Sequence, residues 1–124
     1  MHLTEELTSI GFSLEAVKDD DFDTYFKIEK ICYEKYVDEF FGGWDDSVQV
    51  KMNTESFRKM RNQTCFQKLF YHGEPAGFLA YDETEDKIDG VAIQMIEKAR
   101  NKGVGSFFLT TITSLSEKTG KPVF

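Results

Sequence analysis

Polar and apolar positions alternate along several short segments of the chain, and this period of two predicts β-strands. The first such segment is Phe12 to Val17. Cys65 to His72 and Ala76 to Tyr81 are two apolar runs separated by Gly73-Glu74-Pro75, which predicts a hairpin. A charged connection then leads into a strand that begins at Ile88. The middle of the sequence therefore predicts a three-stranded antiparallel meander.

Two segments have the pattern of helices. Apolar side chains recur at helical spacing from Phe22 to Phe41 and stop at Gly42-Gly43. The aspartates at 19, 20, 21 and 23 are typical of acids that cap a helix N-terminus and compensate its dipole. A second, short helix is predicted to open at Trp44-Asp45-Asp46-Ser47, where Asp46 and Gln49 have capping-box spacing. Residues 54–63 are polar and basic without a strong period, so we expect them to link this helix to the sheet.

The segment from Ile88 to Thr113 has the order strand, glycine turn, helix. Its turn contains Gly103 and Gly105, which lack a Cβ and so let backbone N–H groups face a ligand at close range. The helix predicted from Ser106 to about Glu117 adds unpaired N–H groups and the positive end of its dipole, which suit a phosphate. The segment predicts an anion cradle, although the same order also arises where glycine serves packing alone. It matches neither the P-loop nor the dinucleotide-binding motif.

Arg100 to Gly105 resembles the Q/R-x-x-G-x-G/A signature of the GNAT family of N-acetyltransferases, in which this turn holds the pyrophosphate of acetyl-CoA. The resemblance extends from about Phe12 to Phe124, with Glu97 where the family often has proline and Asn101 where glycine is frequent. It implies an α+β domain, an α/β/α sandwich with a mixed, mostly antiparallel sheet and helices on both faces. It also implies that strand and turn bind the cofactor through Ile93, Gln94, Met95, Ile96, Arg100, Asn101, Lys102, Gly103, Val104, Gly105 and Ser106.

The resemblance implies a function as well. The chain is expected to move an acetyl group from acetyl-CoA, its co-substrate, to a primary amine by direct attack, with no metal. The family's base often lies near the start of the fourth strand, where Asp89 stands; an aspartate before glycine is also a common turn residue. The alternative is a catalytically inactive acyl-CoA-binding or regulatory module of the same fold.

In this family, the segment between the first two helices commonly shapes the acceptor pocket. Aromatic walls with nearby acids suit an ammonium group. The same residue types are equally typical of an ordinary core and of helix caps. The implied substrate contacts are Tyr33, Tyr36, Phe41, Trp44 and Asp45.

Composition narrows the function classes. The 124 residues form one domain, residues 1–124, with a net charge of -7 and a pI of about 4.8, which argues against nucleic-acid binding and permits a cationic partner such as an amine. No apolar run or N-terminal leader predicts a membrane span or signal peptide, so a cytoplasmic location is expected. Cys32 and Cys65 are expected to be reduced, and with only His2 and His72 a zinc site is not expected.

The end of the chain, Gly120 to Phe124, predicts a helix stop followed by the first residues of another strand. The GNAT family continues through further elements that usually carry the general acid, so no general acid is assigned. We expect a domain truncated at its C-terminus, lacking the last strands, or a homo-oligomer that completes its sheet through the exposed edge.

Overall fold

The computed structural model describes all residues from Met1 to Phe124 and contains four α-helices and four strands. Two 3-10 turns, Asp19–Asp21 and Glu97–Ala99, precede α2 and follow β4. The strands form one antiparallel sheet in the order β1-β2-β3-β4, and the helices cover both faces, which confirms the predicted α+β class. No helix combines the length and the apolar character needed to span a bilayer. The elements are α1 Glu5–Ser9, β1 Phe12–Ala16, α2 Phe22–Phe40, α3 Asp46–Arg61, β2 Cys65–Tyr71, β3 Glu74–Glu83, β4 Ile88–Met95 and α4 Val104–Thr119.

Each face of the sheet has its own apolar cluster because successive side chains of a strand point to opposite faces. On one face, Leu69 and Leu79 pack with Phe108 and Ile112 of α4 and with Leu7 of α1. On the other face, the sheet contributes Phe66, Phe78 and Ala80, and the helices contribute Tyr25, Ile28 and Phe57. The short 5-residue α1 was not predicted, and Thr4 caps it by accepting a hydrogen bond from the Leu7 N–H at 3.3 Å.

The prediction that residues 54–63 form a link is wrong, because α3 continues to Arg61. Its apolar period is weak since the buried residues of the helix are Asn53 and Phe57. Phe57 nevertheless fixes the helix on the sheet, with its ring 5.3 Å from that of Tyr25. The cap is also shifted by one residue: Asp45, rather than Asp46, accepts the first-turn hydrogen bonds.

Strand β4 forms one edge of the sheet, and the candidate site lies along it. Ala80 pairs with Ala92, whereas Asp82 pairs with Asp89, so two residues of β4, one of them Gly90 at φ 62°, lie opposite one residue of β3. This is a β-bulge, which increases the local twist.

The end of the chain lies against the start of β4. Gly120, at φ 71°, ends α4, as the sequence predicts. Val123 then forms a parallel bridge with Ile88, a pairing that the sequence did not specify. The Ile88 N–H donates to Pro122 O, and the Phe124 N–H donates to Ile88 O, each at 2.9 Å. Beyond Ile88, the outer side of β4 has no strand partner.

Candidate active site

The open edge of β4 carries unpaired backbone groups. The Ile96 N–H donates to Ala76 O at 2.9 Å, so the backbone groups of Ile96 and, by alternation, Gln94 face β3. The N–H and C=O groups of Ile93 and Met95 therefore face outward. Of the four strand positions implicated by the sequence, these two present backbone groups to a ligand, and the other two belong to the ladder.

Arg100 joins the end of β4 to the glycine turn. Its Nε donates to Met95 O at 2.8 Å, and the thiol of Cys32 in α2 lies 3.5 Å from the same oxygen. Burial raises the pKa of the Cys32 thiol, and Arg100 partly opposes that effect. Cys32 and Cys65 are both free thiols. The Arg100 side chain thus holds the junction in place, whereas the sequence suggested that it contacts the pyrophosphate.

The turn itself has left-handed backbone at two positions. Asn101 has φ 61° and Gly103 has φ 102°, a region that asparagine and glycine tolerate better than other residues. Gly103 is the N-cap of α4, and its carbonyl accepts from the Phe107 N–H at 3.0 Å. Because glycine has no side chain, it cannot donate or accept as a cap, and the first-turn N–H groups of α4 remain free.

The free N–H groups belong to Val104, Gly105 and Ser106. A Cβ at Gly105 would find no atom within 4 Å, so open space lies in front of this part of the turn. Lys102 is exposed beside it, with Nζ 5.8 Å from the Tyr71 ring centroid, and α4 has no acid in its first turn. The structure therefore places residues 101–106 around one concave helix terminus that suits an anion.

A pocket of about 380 Å³ lies between α2, α3 and β4. We call it the acceptor pocket, after the acceptor contacts that the sequence predicts in this region. Three of the predicted substrate contacts, Tyr33, Tyr36 and Trp44, line it. Phe41 lies outside it, 69% exposed, with its ring 5.7 Å from that of Tyr36. Asp45 is also outside, where it caps α3 by accepting from the Ser47 N–H at 2.9 Å.

Trp44 is fixed by two aspartates. Its indole Nε1 donates to Asp46 at 2.7 Å, and its backbone N–H donates to Asp38, also at 2.7 Å. Lys30 neutralises Asp46 from 3.2 Å. The acids of this segment thus position an aromatic wall.

Glu29, on α2, is a candidate functional residue that the sequence did not suggest. It is 9% exposed, it lines the acceptor pocket, and its Oε1 has no hydrogen-bond partner. Burial raises the pKa of this carboxyl to about 7, although the Gln94 and Tyr25 side chains act in the opposite direction. The sequence does contain one indication of this arrangement. Tyr25, Glu29 and Tyr33 are spaced four residues apart and therefore share one face of the helix.

Asp89, the base suggested by the sequence, lies at the opposite end of β4 from Gln94. Its Oδ2 is 3.4 Å from Lys87 Nζ, and it does not line the acceptor pocket. The structure does not bring Asp89 together with the glycine turn, and its catalytic role stays a prediction.

Comparisons with known proteins identify the fold of this chain. No family model matches the chain, and no curated protein matches it. Among solved structures, the PaiA N-acetyltransferase of Thermoplasma acidophilum in complex with coenzyme A is 12% identical, with a TM-score of 0.62 over 88% of this chain and 74% of that chain. A GNAT family acetyltransferase from Brucella melitensis in complex with acetyl-CoA is 8% identical, with a TM-score of 0.57 over 90% of this chain and 72% of that chain. The chain has the GNAT fold.

A third structure with the GNAT fold is the ribosomal-protein-S18-alanine N-acetyltransferase of Escherichia coli. It is 16% identical, with a TM-score of 0.58 over 88% of this chain. This chain spans 61% of that protein's length. At such identities the likeness concerns the fold, so the activity must be argued from this chain's own residues.

Proposed function

We propose that this chain is an acetyl-CoA-dependent N-acetyltransferase that acts on a primary amine by direct attack. The observation that carries the proposal is the continuity of the glycine turn with the open edge of β4. A free helix N-terminus and a row of outward backbone groups are joined by Arg100 through its 2.8 Å hydrogen bond to Met95 O. A long ligand with a phosphate at one end and amide groups along its arm matches both parts.

Each part of the cofactor has a proposed partner. The pyrophosphate would accept hydrogen bonds from the N–H groups of residues 104–106, with Lys102 adding positive charge. The amides of the pantetheine arm would pair with the outward N–H and C=O groups of Ile93 and the outward N–H of Met95, as an added strand pairs with a sheet edge; the Met95 carbonyl already accepts from Arg100. In this proposal, most contacts to the cofactor are made by backbone groups, with Lys102 as the contributing side chain.

The reaction needs few groups. A neutral amine nitrogen attacks the thioester carbonyl, the C–N bond forms, the C–S bond breaks, and the CoA thiolate leaves and takes a proton. An outward N–H of β4 can stabilise the negative charge that develops on the carbonyl oxygen. The acceptor pocket lies beside this strand and is lined by Gln94. The binding of CoA without turnover on any amine would favour the alternative, a non-catalytic acyl-CoA-binding module.

Two further expectations accompany the proposal. The unpaired outer side of β4 is a surface on which a second copy could add a strand, so we expect a homo-oligomer, to be tested by light scattering over a concentration series. A cytoplasmic location, where acetyl-CoA is available to an acetyltransferase, would be tested by fractionation.

The cofactor assignment is tested by titrating the chain with acetyl-CoA. Gly105→Glu is the sharper variant, because Gly105 has ordinary helical backbone and open space around it, whereas any side chain at Gly103 is strained by its φ of 102°. Leu109→Glu is the matched control: it adds the same charge one helical turn further on, at a side chain that is 59% exposed. We expect Gly105→Glu to abolish binding and Leu109→Glu to retain it; unchanged affinity in Gly105→Glu would contradict the cradle.

A further inference from the structure

Two pockets meet on the side of β4 that faces α2. The acceptor pocket contains Glu29, and a smaller pocket of about 190 Å³ is lined by Cys32, Ile93, Met95 and Arg100. Tyr33 and Gln94 line both. The smaller pocket contains the outward backbone groups of β4 to which the pantetheine arm is assigned. The junction at Tyr33 and Gln94 is therefore where a thioester and an amine entering from opposite sides would meet.

Two buried oxygens in the acceptor pocket lack a donor. Glu29 Oε1 and Gln94 Oε1 are both inaccessible to solvent and without a hydrogen-bond partner. An acceptor that is buried without a donor destabilises the folded state, because it has lost its hydrogen bonds to water. A primary ammonium group carries three N–H donors, which is the kind of partner that such acceptors lack.

Glu29 is the single charged residue that lines this pocket. On its own helix the titratable neighbours are Tyr25, Tyr33 and Cys32, and Arg100, which follows β4 in the chain, lies beside Cys32. The residues that α3 contributes to the lining are all neutral: Gln49, Met52, Asn53, Ser56 and Met60. One carboxylate among neutral and aromatic walls suits one ammonium group on an apolar body, whereas a polyamine or aminoglycoside carries several cationic groups.

We propose that Glu29 is the catalytic base of the acetyl transfer and that the acceptor is a monoamine with an apolar body, bound between Glu29 and Gln94; this rests on the proposed function. The Glu29 carboxylate takes a proton from the bound ammonium group. The nitrogen lone pair then attacks the thioester carbonyl, the C–N bond forms, and the C–S bond breaks with its electrons leaving on sulfur. The amide nitrogen gives up its second proton, and the thiolate takes one, so CoA leaves as the thiol.

The burial that isolates Glu29 also suits it to this role. Burial raises the pKa of the Glu29 carboxyl to about 7, so near neutrality it can both accept and release a proton. Binding of the ammonium would favour its ionised form, because an opposite charge in contact stabilises a carboxylate.

The test compares wild type, Glu29→Gln and the control Glu34→Gln, an exposed glutamate on the same helix that lies 3.6 Å from Lys30. Acetyl-CoA affinity is measured first by titration calorimetry and is expected to agree within about threefold in all three. Transfer to 2-phenylethylamine is then followed by thiol release from pH 5.5 to 9, with spermidine as the multiply charged comparison. Binding of 2-phenylethylamine to the protein–CoA complex gives a readout that does not depend on turnover.

Wild type is expected to acetylate 2-phenylethylamine in preference to spermidine, with kcat/KM falling below an inflection near pH 7. Glu29→Gln should lower kcat/KM about 100-fold or more and remove that inflection, as expected for loss of a general base. It should also weaken amine binding about tenfold through loss of a charge-assisted hydrogen bond. Glu34→Gln should match wild type.

The outcomes separate the two proposals. A wild type that does not bind acetyl-CoA would contradict the proposed function itself. Normal acetyl-CoA binding with full activity in Glu29→Gln, or with the pH inflection lost in Asp89→Asn instead, would overturn the role of Glu29. Acetyl-CoA binding with preference for spermidine, or with no transfer to 2-phenylethylamine, would overturn the assignment of the acceptor class.

Discussion

The burial of Glu29 makes the stability of the protein depend on pH in a way that can be measured without any substrate. In the folded chain the pKa of this carboxyl is raised to about 7 from its ordinary value of 4.5. The folded state therefore holds the proton more tightly than the unfolded state. The stabilising effect of that proton is fully present below pH 4.5 and is lost as pH rises through 7.

The size of this pH-dependent stability follows from the difference between the folded and the ordinary pKa of Glu29. It corresponds to roughly 3 kcal/mol of unfolding free energy, of which about 2–3 kcal/mol is lost between pH 5 and pH 8. Glu29→Gln keeps the shape of the side chain but cannot ionise, so its stability should lack this component. Above pH 7 the variant should be more stable than wild type, because a buried carboxylate has been removed.

The assay is urea unfolding at pH 5 and pH 8, followed by circular dichroism. With an m-value of about 1–3 kcal/mol/M for a protein of this size, the wild-type midpoint should fall by about 1–2 M between the two pH values relative to that of Glu29→Gln. The comparison with the variant subtracts the contributions of all other titrating groups. Glu34→Gln, an exposed change on the same helix, should follow wild type. Parallel pH dependence in wild type and Glu29→Gln would refute the argument that Glu29 is buried without a charge partner.

Four single substitutions in the scaffold have expected results. Phe57→Ala should cost about 3–5 kcal/mol in urea unfolding, because the ring packs against Tyr25 in the cluster between α3 and the sheet. Asp21→Asn should cost about 1.5–3 kcal/mol, because the mostly buried Lys68, now 2.6 Å from Asp21, keeps only Glu15, 3.9 Å away, as an acidic neighbour; adding Lys68→Met should recover part of the loss. Gly103→Ala and Gly105→Ala should shift the melting temperature in opposite directions, down for the left-handed position and up for the helical one. Equal shifts in these two alanine variants, or a neutral Phe57→Ala or Asp21→Asn, would contradict the packing described here.

The ion pair between Asp21 and Lys68 also makes stability depend on pH, in a direction that can be measured. Burial alone would raise the pKa of Asp21, but hydrogen bonds from Lys68 and the Lys18 backbone N–H outweigh it, so the pKa lies below its ordinary 3.8. Its contribution to stability is present above the ordinary value and is lost as pH falls through the lowered one. The contribution of Asp21 to stability is therefore constant between pH 5 and pH 8, the range in which the contribution of Glu29 changes.

Local patterns were sufficient for the parts of the fold that local physics determines. The alternation of Phe12 to Val17 and the glycine stop at Gly120 each depend on a few adjacent residues, and the structure contains both features. The predicted hairpin also forms, but its turn is His72-Gly73, because Glu74 and Pro75 already belong to β3 and pair with Tyr71 and Phe70. The turn at 100–105 was recognisable for the same reason, since the left-handed backbone at Gly103, with φ 102°, favours glycine. The left-handed φ of Asn101 also fits the residue found there.

Non-local packing determined what the sequence did not reveal. Phe57 anchors a helix of otherwise polar appearance through rings contributed by α2 and β2, which no window around residue 57 contains. Glu29 and Glu34 are chemically identical residues on one helix, and only the coverage by α3 and β4 makes the first buried, whereas the second is partly exposed, with 45% of its side chain accessible. The direction of the Arg100 side chain, toward Met95 O, likewise depends on where β4 ends.

The central claim is that the N-terminus of α4 binds the pyrophosphate of acetyl-CoA, and Gly105→Glu tests it most directly. The new side chain places a negative charge where the phosphates are expected, and at about 4 Å each such repulsion is worth about 4 kcal/mol near a protein surface. Replacing glycine by glutamate in the first turn of a helix should meanwhile stabilise the fold by about 1 kcal/mol. In Gly105→Glu, calorimetric titration should therefore show an affinity for acetyl-CoA that is at least 100-fold weaker than that of wild type. A thermal melt of the same variant should show a higher melting temperature. Binding of acetyl-CoA with equal affinity by wild type and Gly105→Glu, or no binding by wild type, would contradict the account.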